Sequence, residues 1–189
     1  MDWTQEAMTF SIDATRQNLA HLTSFPELTK DGQWVCVNNG GWVGGHWVGL
    51  LWLAYARTGD PAWETAARQW AARLAARQHD ATTHDLGFLF ELSHALGAKL
   101  TGDASLKAPA VQAARTLALR FNPIGKFIQA WGPLDAPADR RGRAIIDTLM
   151  NLDLLFWASK ETGDDRFAEI ARAHALTALA CHVRADWST

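Results

Sequence analysis

The sequence contains only two cysteines, Cys36 and Cys181, among its 189 residues. Two cysteines so far apart form neither the disulfide framework of a small secreted domain nor the paired thiols of a zinc site. We therefore expect two reduced, half-buried thiols. Nothing in the sequence indicates a metal site.

Neither sign of charge is in excess. The chain carries 18 Lys and Arg residues against 20 Asp and Glu residues, which gives a formal net charge of -2, and it has no run of basic residues. Proteins that bind nucleic acid or anionic membranes present clustered positive charge. We therefore expect no nucleic-acid partner and no membrane partner.

Long hydrophobic runs are also missing. The longest apolar stretch, residues 48–56, is too short to span a bilayer, and the beginning of the chain, MDWTQEAMTF, lacks the basic and apolar regions of a secretory signal. These absences predict a cytoplasmic protein. The length and the hydrophobic content of 48% predict a single domain over residues 1–189 with a substantial core.

Tyrosine occurs once, whereas tryptophan occurs ten times. A tryptophan side chain offers a flat apolar surface with one hydrogen-bond donor, so it suits stacking on a sugar ring as well as packing in a large core. Composition alone does not decide between these two uses.

The tripeptide TGD occurs three times, at residues 58–60, 101–103 and 162–164. In each copy the glycine can adopt the left-handed conformation that ends one helix, and the aspartate can cap the free N–H groups of the next helix. The repeat therefore predicts three corners, each between two consecutive helices.

The helices on the two sides of each corner differ in character. The helix over residues 44–59 is apolar almost all round, which predicts burial on every side. The helix that follows it is amphipathic, with one apolar face made of Trp63, Ala67, Trp70 and Leu74. The same contrast returns at the other two corners.

This alternation predicts an all-α fold, an α/α toroid with apolar inner helices and amphipathic outer helices. An evenly spaced helical solenoid fits less well, because the linker over residues 122–142 is long and rich in proline and glycine. That linker contains Trp131, and an earlier loop contains Trp34 and Trp42. Both loops precede an inner helix, so we expect their aromatic side chains to line one pocket at the same mouth of the ring.

Two aspartates are expected at that mouth. Asp85 precedes an inner helix that begins near Leu86, where it is either a helix cap or a catalytic group. Asp147 falls in the first turn of a helix expected from Ala144, among the apolar residues Ile145, Ile146, Leu149 and Met150. A carboxyl in such surroundings is expected to be desolvated and to stay protonated near neutral pH, as a general acid must. The two carboxyls together suit an acid/base pair.

The histidines leave more alternatives open. His84 either orients a substrate or is simply solvated, and His46 and His94 suit either the pocket or the core. His174 and His182 fall on an outer helix, where packing or exposure is the favoured interpretation.

Five segments carry a resemblance to a known family. GGWVGGHWVGLLWLAYARTGD, HDLGFLF, FIQAW, IIDTLMNLDLLFWASKETGD and CHVRADWST resemble, in wording and in order, the unsaturated glucuronyl hydrolases of glycoside hydrolase family 88. The segments cover nearly the whole chain. The resemblance implies an (α/α)6 barrel that hydrolyses unsaturated uronyl oligosaccharides of the glycosaminoglycan type, which polysaccharide lyases release.

The resemblance also implies roles for individual residues. Asp147 matches the acid that protonates C4 of the enol ether and then activates the water that adds at C5, and Asp85 matches an aspartate that assists there. His84, Trp42 and Trp131 match positions that hold the sugar. The resemblance implies no metal and no organic cofactor.

The chain departs from this family in length. Family members close their ring with six hairpins, whereas this chain resembles the N-terminal portion and contains about three and a half. The apolar inner helices would then leave one flank of the ring open. We therefore expect either a fragment of a longer protein or a homo-oligomer in which another copy covers that flank.

Two alternatives to the hydrolase stay open. Sugar epimerases of the N-acylglucosamine 2-epimerase kind are also toroids, but they need paired histidines, whereas the motifs here centre on aspartates. The second alternative is a truncated, catalytically incomplete module of the same fold that binds carbohydrate or serves assembly. Replacing Asp147 with asparagine separates these hypotheses, because a binding module keeps its affinity and a hydrolase loses its turnover.

Overall fold

A computed structural model of the chain describes residues 2–137 and 141–189, so residues 138–140 of the predicted linker lie outside the described part. The helices and strands follow in chain order. They are α1 (Trp3–His21), β1 (Phe25–Lys30), β2 (Gln33–Val37), α2 (Gly44–Thr58), α3 (Pro61–Leu74), a 3₁₀ segment (Ala75–His79), α4 (Leu86–Phe90), a π-helical turn (Glu91–Ala95), α5 (Leu96–Thr101), a 3₁₀ turn (Ala104–Leu106), α6 (Lys107–Ala118), β3 (Phe121–Asn122), β4 (Phe127–Ile128), α7 (Thr148–Thr162) and α8 (Asp165–His182).

Each TGD tripeptide forms the predicted corner. The three glycines have φ angles of 69°, 73° and 72°, and each donates its backbone N–H to a carbonyl of the helix that it ends. The aspartate that follows accepts a hydrogen bond from a backbone N–H two residues further on, at Ala62, Ser105 and Arg166. The prediction from local sequence is confirmed at all three places.

The helices pack in the alternating order that the sequence predicts. Along the inner side, α4 packs against both α2 and α7, and its helix continues through the π-helical turn into α5. Each inner helix packs against the outer helix that follows it in the chain. The outer helix α3 buries its predicted apolar face, which consists of Trp63, Ala67, Trp70 and Leu74.

The prediction that the inner helices are buried on every side is wrong. Leu50 and Leu53 of α2 and Met150 of α7 are exposed. The inner helices form an arc and not a closed ring, and α1, which lies beside Leu50 and Leu53, leaves both side chains partly exposed. Leu50 and Leu53 also line a cavity of about 420 Å³ between α2 and α1.

Two glycines allow the inner helices to approach each other closely. A Cβ atom at Gly45 of α2 would lie 1.9 Å from the carbonyl oxygen of Phe88, and one at Gly87 would lie 2.4 Å from the Cα of Asn151 on α7. Real Cβ atoms do not approach backbone atoms so closely, so each helix crossing requires a glycine. The crossings fix the first turn of α4 between α2 and α7.

Two small antiparallel hairpins, β1–β2 and β3–β4, complete the described structure. Cys36 and Cys181 are free thiols, as expected, but both are exposed and not half-buried. Among the described residues, no helix is both long enough and apolar enough to cross a membrane.

The aspartate of the second TGD corner, Asp103, allows a prediction of how the free energy of unfolding depends on pH. Hydrogen bonds from the side chain and backbone of Ser105, and then from Arg68, lower the pKa of Asp103 to about 2 from a usual value of 3.8. A carboxyl whose pKa is depressed by folding stabilises the fold above its unfolded pKa, and this stabilisation disappears as the pH falls toward the folded pKa. We therefore expect the urea midpoint to fall between about pH 4 and pH 2, and Asp103→Asn to weaken that dependence.

The matched control for this prediction is Asp31→Asn, which changes an acid in an exposed turn between β1 and β2. The control should keep the pH dependence of the parent chain. Equal pH dependence in the parent, in Asp103→Asn and in Asp31→Asn would contradict the prediction.

Candidate active site

Three predicted site residues converge where α4 and α7 begin. Nε2 of His84 lies 3.1 Å from Oδ1 of Asp147 and 3.5 Å from Oδ1 of Asp85. His84 and Asp85 directly precede α4, and Asp147 directly precedes α7, so the crossing of these two helices sets the distances.

Asp147 is the residue before the first turn of α7, which begins at Thr148 and not near Ala144 as predicted. Its carboxyl makes no capping hydrogen bond. The prediction of a desolvated carboxyl is also wrong for the described chain, because the Asp147 side chain is 42% exposed. The neighbouring Ile146 and Met150, which were expected to bury it, are themselves exposed. Asp147 is therefore accessible to a ligand from solvent.

Asp85 does not act as a helix cap, although it occupies the cap position of α4. Its Oδ2 accepts a hydrogen bond from the Thr83 hydroxyl at 2.5 Å, and its side chain is 17% exposed. Of the two alternatives for Asp85, the structure therefore favours a carboxyl that joins the cluster with His84 and Asp147. The sequence analysis did not identify Thr83 as a partner of Asp85. A threonine two residues before an aspartate is the sequence signal that could have indicated this hydrogen bond.

His84 lies beneath the pocket surface, with its side chain only 1% exposed. Its Nδ1 lies 2.5 Å from the carbonyl oxygen of Ala130. A carbonyl oxygen only accepts hydrogen bonds, so Nδ1 carries a proton, and the contact between Nε2 and Asp147 needs a second proton on one of its two atoms. Both ring nitrogens of His84 therefore have protein partners. The expected contact between His84 and a sugar stays a prediction.

Two half-exposed tryptophans, Trp131 and Trp42, pack against His84 and against the first turn of α4, respectively. Trp131 packs edge-on against the His84 ring with the centroids 6.3 Å apart, and its backbone pairs with Thr83. Trp42 packs edge-on against Phe88, the third residue of α4, with the centroids 5.6 Å apart. Trp131 thus lies against the cluster and Trp42 against the first turn of α4, and half-exposed indole rings of this kind suit stacking on a sugar ring.

Trp34 does not join this group, contrary to the expectation from its loop. It lies in β2, where its Nε1 donates a hydrogen bond to Asn18 of α1, and it lines a cavity of about 390 Å³ whose lining includes none of His84, Asp85 and Asp147. The loop containing Trp34 forms the β1–β2 hairpin, which turns this side chain toward α1.

The other histidines divide between core and pocket. Burial lowers the pKa of His94 to about 4, and burial together with the nearby charges of His84 and His182 lowers the pKa of His174 to about 4. Both are therefore neutral core residues near pH 7. His46 is exposed, packs against Trp42 and Phe88, and belongs to the pocket of about 390 Å³ that Trp34 also lines.

The cluster also has the composition of a possible metal site. Within the described residues, His84, Asp85 and Asp147 each offer one potential ligand atom. These three atoms lie within 4.8 Å of one another. The resemblance stated for the sequence implies no metal at this place, and the expectation of a metal-free site stays a prediction.

Comparisons with known proteins identify relatives of this chain among curated proteins and solved structures. No protein-family model matches the chain. The chain is 37% identical over 190 residues to an unsaturated glucuronyl hydrolase of Bacillus sp. (strain GL1). The alignment covers 98% of this chain and 50% of that protein. The chain is homologous to the unsaturated glucuronyl hydrolases. An unsaturated chondroitin disaccharide hydrolase of Streptococcus pyogenes serotype M1 is 38% identical over 187 residues, which covers 96% of this chain and 46% of that protein.

Solved structures of unsaturated glucuronyl hydrolases share the fold. The Bacillus sp. GL1 structure, of an enzyme responsible for the degradation of glycosaminoglycan, superposes with a TM-score of 0.86 at 36% identity and covers 96% of this chain and 49% of that one. A UGL variant with dGlcA-Glc-Rha-Glc gives a TM-score of 0.90 at 35% identity, with the same coverage. The predicted toroid of the (α/α)6 type is therefore confirmed, and the chain spans about half the length of the relatives that it matches.

Proposed function

We propose that this chain carries the acid–base site of a glycoside hydrolase that acts on unsaturated uronyl oligosaccharides of the glycosaminoglycan type, released by polysaccharide lyases. The supporting observation is the cluster of His84, Asp85 and Asp147, with the half-exposed Trp131 packed against the His84 ring. The homology to the unsaturated glucuronyl hydrolases gives the same substrate class.

The proposed reaction begins with proton transfer to the enol ether. The Asp147 carboxyl donates its proton to C4 of the unsaturated sugar, and the π electrons of the C4=C5 bond form the new C–H bond. The resulting positive charge is shared by C5 and the ring oxygen. The Asp147 carboxylate then takes a proton from a water molecule, whose oxygen bonds to C5.

The product of this hydration is a hemiketal at C5, which needs no further catalyst. The bond between C5 and the ring oxygen breaks, leaving a ketone at C5 and a hemiacetal at C1. That hemiacetal then releases the second sugar as an alcohol and leaves an aldehyde at C1. The net reaction consumes one water and restores the proton on Asp147.

The geometry suggests how the other residues serve this reaction. His84 shares a proton with Asp147 through Nε2. This hydrogen bond fixes the orientation of the carboxyl and holds a proton next to it. Asp85 faces the same nitrogen and assists at the same place. Trp42 and Trp131 hold the sugar ring between their exposed faces.

The alternatives from the sequence fit this arrangement less well. An epimerase needs two histidines as acid and base, whereas His84 is the histidine in contact with the paired acids in the described part of the chain, and His94 and His174 lie in the core. A carbohydrate-binding module would use the tryptophans but would leave the proton-sharing cluster without a role.

The experiment that tests the proposal follows the near-UV absorbance of an unsaturated chondroitin or hyaluronan disaccharide, with and without the chain. We expect the absorbance of the enol ether to fall only when the chain is present, because hydration removes the C4=C5 bond. Constant absorbance with folded chain at high concentration would contradict the proposal.

Two further expectations stay predictions. The first is that a second copy of the chain, or the rest of a longer protein, covers the flank that contains Leu50 and Leu53. Exposed apolar side chains of this size on neighbouring turns are typical of a surface that another protein surface covers. The second is the cytoplasmic location.

A further inference from the structure

A buried arginine joins the two loops that build the candidate site. Arg120 follows α6, and its residue is only 1% exposed. Its Nε donates a hydrogen bond to the carbonyl oxygen of Gln129 at 2.7 Å, and its Nη1 donates to the carbonyl oxygens of Ala81 and, at 3.2 Å, of Gly132. The backbone N–H of Gln129 in turn donates to the carbonyl oxygen of Arg120 at 2.9 Å.

The residues whose carbonyl oxygens accept hydrogen bonds from Arg120 are close in sequence to His84 and to Ala130. Ala81 is three residues before His84, while Gln129 and Gly132 flank Ala130 and Trp131. The Ala130 carbonyl oxygen is the acceptor for Nδ1 of His84. One guanidinium group therefore holds both partners of this hydrogen bond through their own loops.

The remaining contacts make the linkage more rigid. The side-chain amide of Gln129 donates to the carbonyl oxygen of Trp131 at 2.8 Å, and the backbone N–H of Ala130 donates to the carbonyl oxygen of Arg143 at 2.8 Å. The segment containing Arg143 leads directly into Asp147. The Arg120 linkage thus extends from the loop of His84 to the segment that carries the proposed acid.

An arginine suits this place for two physical reasons. Its planar guanidinium offers five N–H donors in a fixed geometry, so it can bind carbonyl oxygens from two loops at once, which a lysine ammonium does less well. Within the described residues no carboxylate bonds directly to it, and its Nη2 has no partner. Burial lowers the pKa of Arg120, whereas the negative charges of Asp80 and Asp85 raise it, so these carboxylates offset part of the cost of the buried cation without a hydrogen bond to it. The direct partners of the guanidinium are the backbone carbonyl oxygens of the two loops.

We propose that Arg120 is a positioning residue of the candidate site, which fixes the loops of His84 and Ala130 and so maintains the hydrogen bond that determines which ring nitrogen of His84 is protonated. Arg120 lines a cavity of about 490 Å³ with Gln129 and Gly142, and none of His84, Asp85 and Asp147 lines that cavity, so we do not assign Arg120 a contact with substrate. Its effect on turnover rests on the proposed function, whereas its effect on His84 does not.

The first test therefore needs no catalysis. In ¹⁵N NMR spectra of the His84 ring, we expect a protected Nδ1–H in the parent chain, because Nδ1 is buried against a carbonyl oxygen. Arg120→Met should lose this protection while keeping the helical circular dichroism, and Arg120→Lys should retain part of it. The control Arg115→Met, which changes an exposed arginine on α6, should leave the His84 signal unchanged.

Chemical rescue separates a positioning role from a purely structural one. In Arg120→Ala, millimolar guanidinium should restore the protected Nδ1–H, whereas urea, which is neutral and of similar shape, should not. An unchanged His84 signal in folded Arg120→Met would overturn the proposal. Loss of the cooperative fold in all three Arg120 variants, with no rescue by guanidinium, would also overturn it, because Arg120 would then be a residue of the folding core.

The second test uses turnover of the unsaturated disaccharide. Displacement of a catalytic group by about 1 Å lowers a rate by roughly 100-fold. We expect Arg120→Lys to lower kcat by about that factor and to raise KM by a smaller factor, because the change disturbs the contact of His84 with Asp147 and also the loop that carries Trp131. A change in KM alone would contradict the positioning role. Absence of turnover in the parent chain would contradict the proposed function but would leave the NMR result as a test of Arg120.

Discussion

Replacing Asp147 with asparagine is expected to lower kcat for an unsaturated disaccharide by about 1,000-fold or more, with little change in KM or in thermal stability. Asparagine has nearly the same shape but neither gives a proton to C4 nor takes one from water. General acid–base catalysis by one group contributes about 100-fold to 10,000-fold, and Asp147 is proposed to act in both steps. The measurement is the initial rate of loss of the enol-ether absorbance.

The matched control is Asp153→Asn, which removes an exposed carboxyl from the same helix, α7. Asp153 lies outside the cluster of His84, Asp85 and Asp147, so its replacement should leave kcat within about twofold of the parent value. Equal losses in both variants would contradict the role of Asp147. Unchanged disaccharide affinity in Asp147→Asn, with no turnover in any variant or in the parent, would favour the carbohydrate-binding module.

Replacing Gly45 with alanine is expected to have the largest effect on stability. The added methyl group would lie 1.9 Å from the carbonyl oxygen of Phe88 and 2.6 Å from that of Leu89, so α2 and α4 would have to separate. Overpacking of a rigid contact costs about 3 kcal/mol or occasionally more, which corresponds to a fall in Tm of roughly 10 °C for a chain of this size. Differential scanning calorimetry measures this change.

Gly142→Ala provides the control for this prediction. A Cβ atom at Gly142 would have no neighbour within 4 Å, and the backbone there is not in the left-handed region. Its Tm should stay within about 2 °C of the parent value. A Gly45→Ala variant as stable as Gly142→Ala would show that the approach of α2 to α4 does not require glycine.

The parts of the fold that depend on neighbouring residues could be predicted from the sequence. A TGD corner needs only a glycine with positive φ and an aspartate that caps the next helix, so the three corners followed from three residues each. The convergence of Asp85 and Asp147 followed from their positions at the starts of two inner helices, which meet at one end of the arc.

The features that were missed or predicted wrongly depend on residues far apart in the sequence. The burial of His84 results from its contact with Ala130, and the linkage by Arg120 joins three chain segments. Neither contact produces a recognisable pattern among residues that are close together in the sequence. The exposure of Asp147 was also mispredicted, because apolar neighbours in sequence do not bury a side chain when no described helix covers that side.

The proposed reaction protonates C4 and adds water at C5 of an unsaturated uronyl sugar. The most direct measurement is the NMR spectrum of the product formed in D₂O by the parent chain from an unsaturated chondroitin disaccharide. We predict one deuterium at C4, a ketone at C5 and a released second sugar. An unchanged disaccharide, or a released sugar whose partner keeps its C4=C5 bond, would contradict the account.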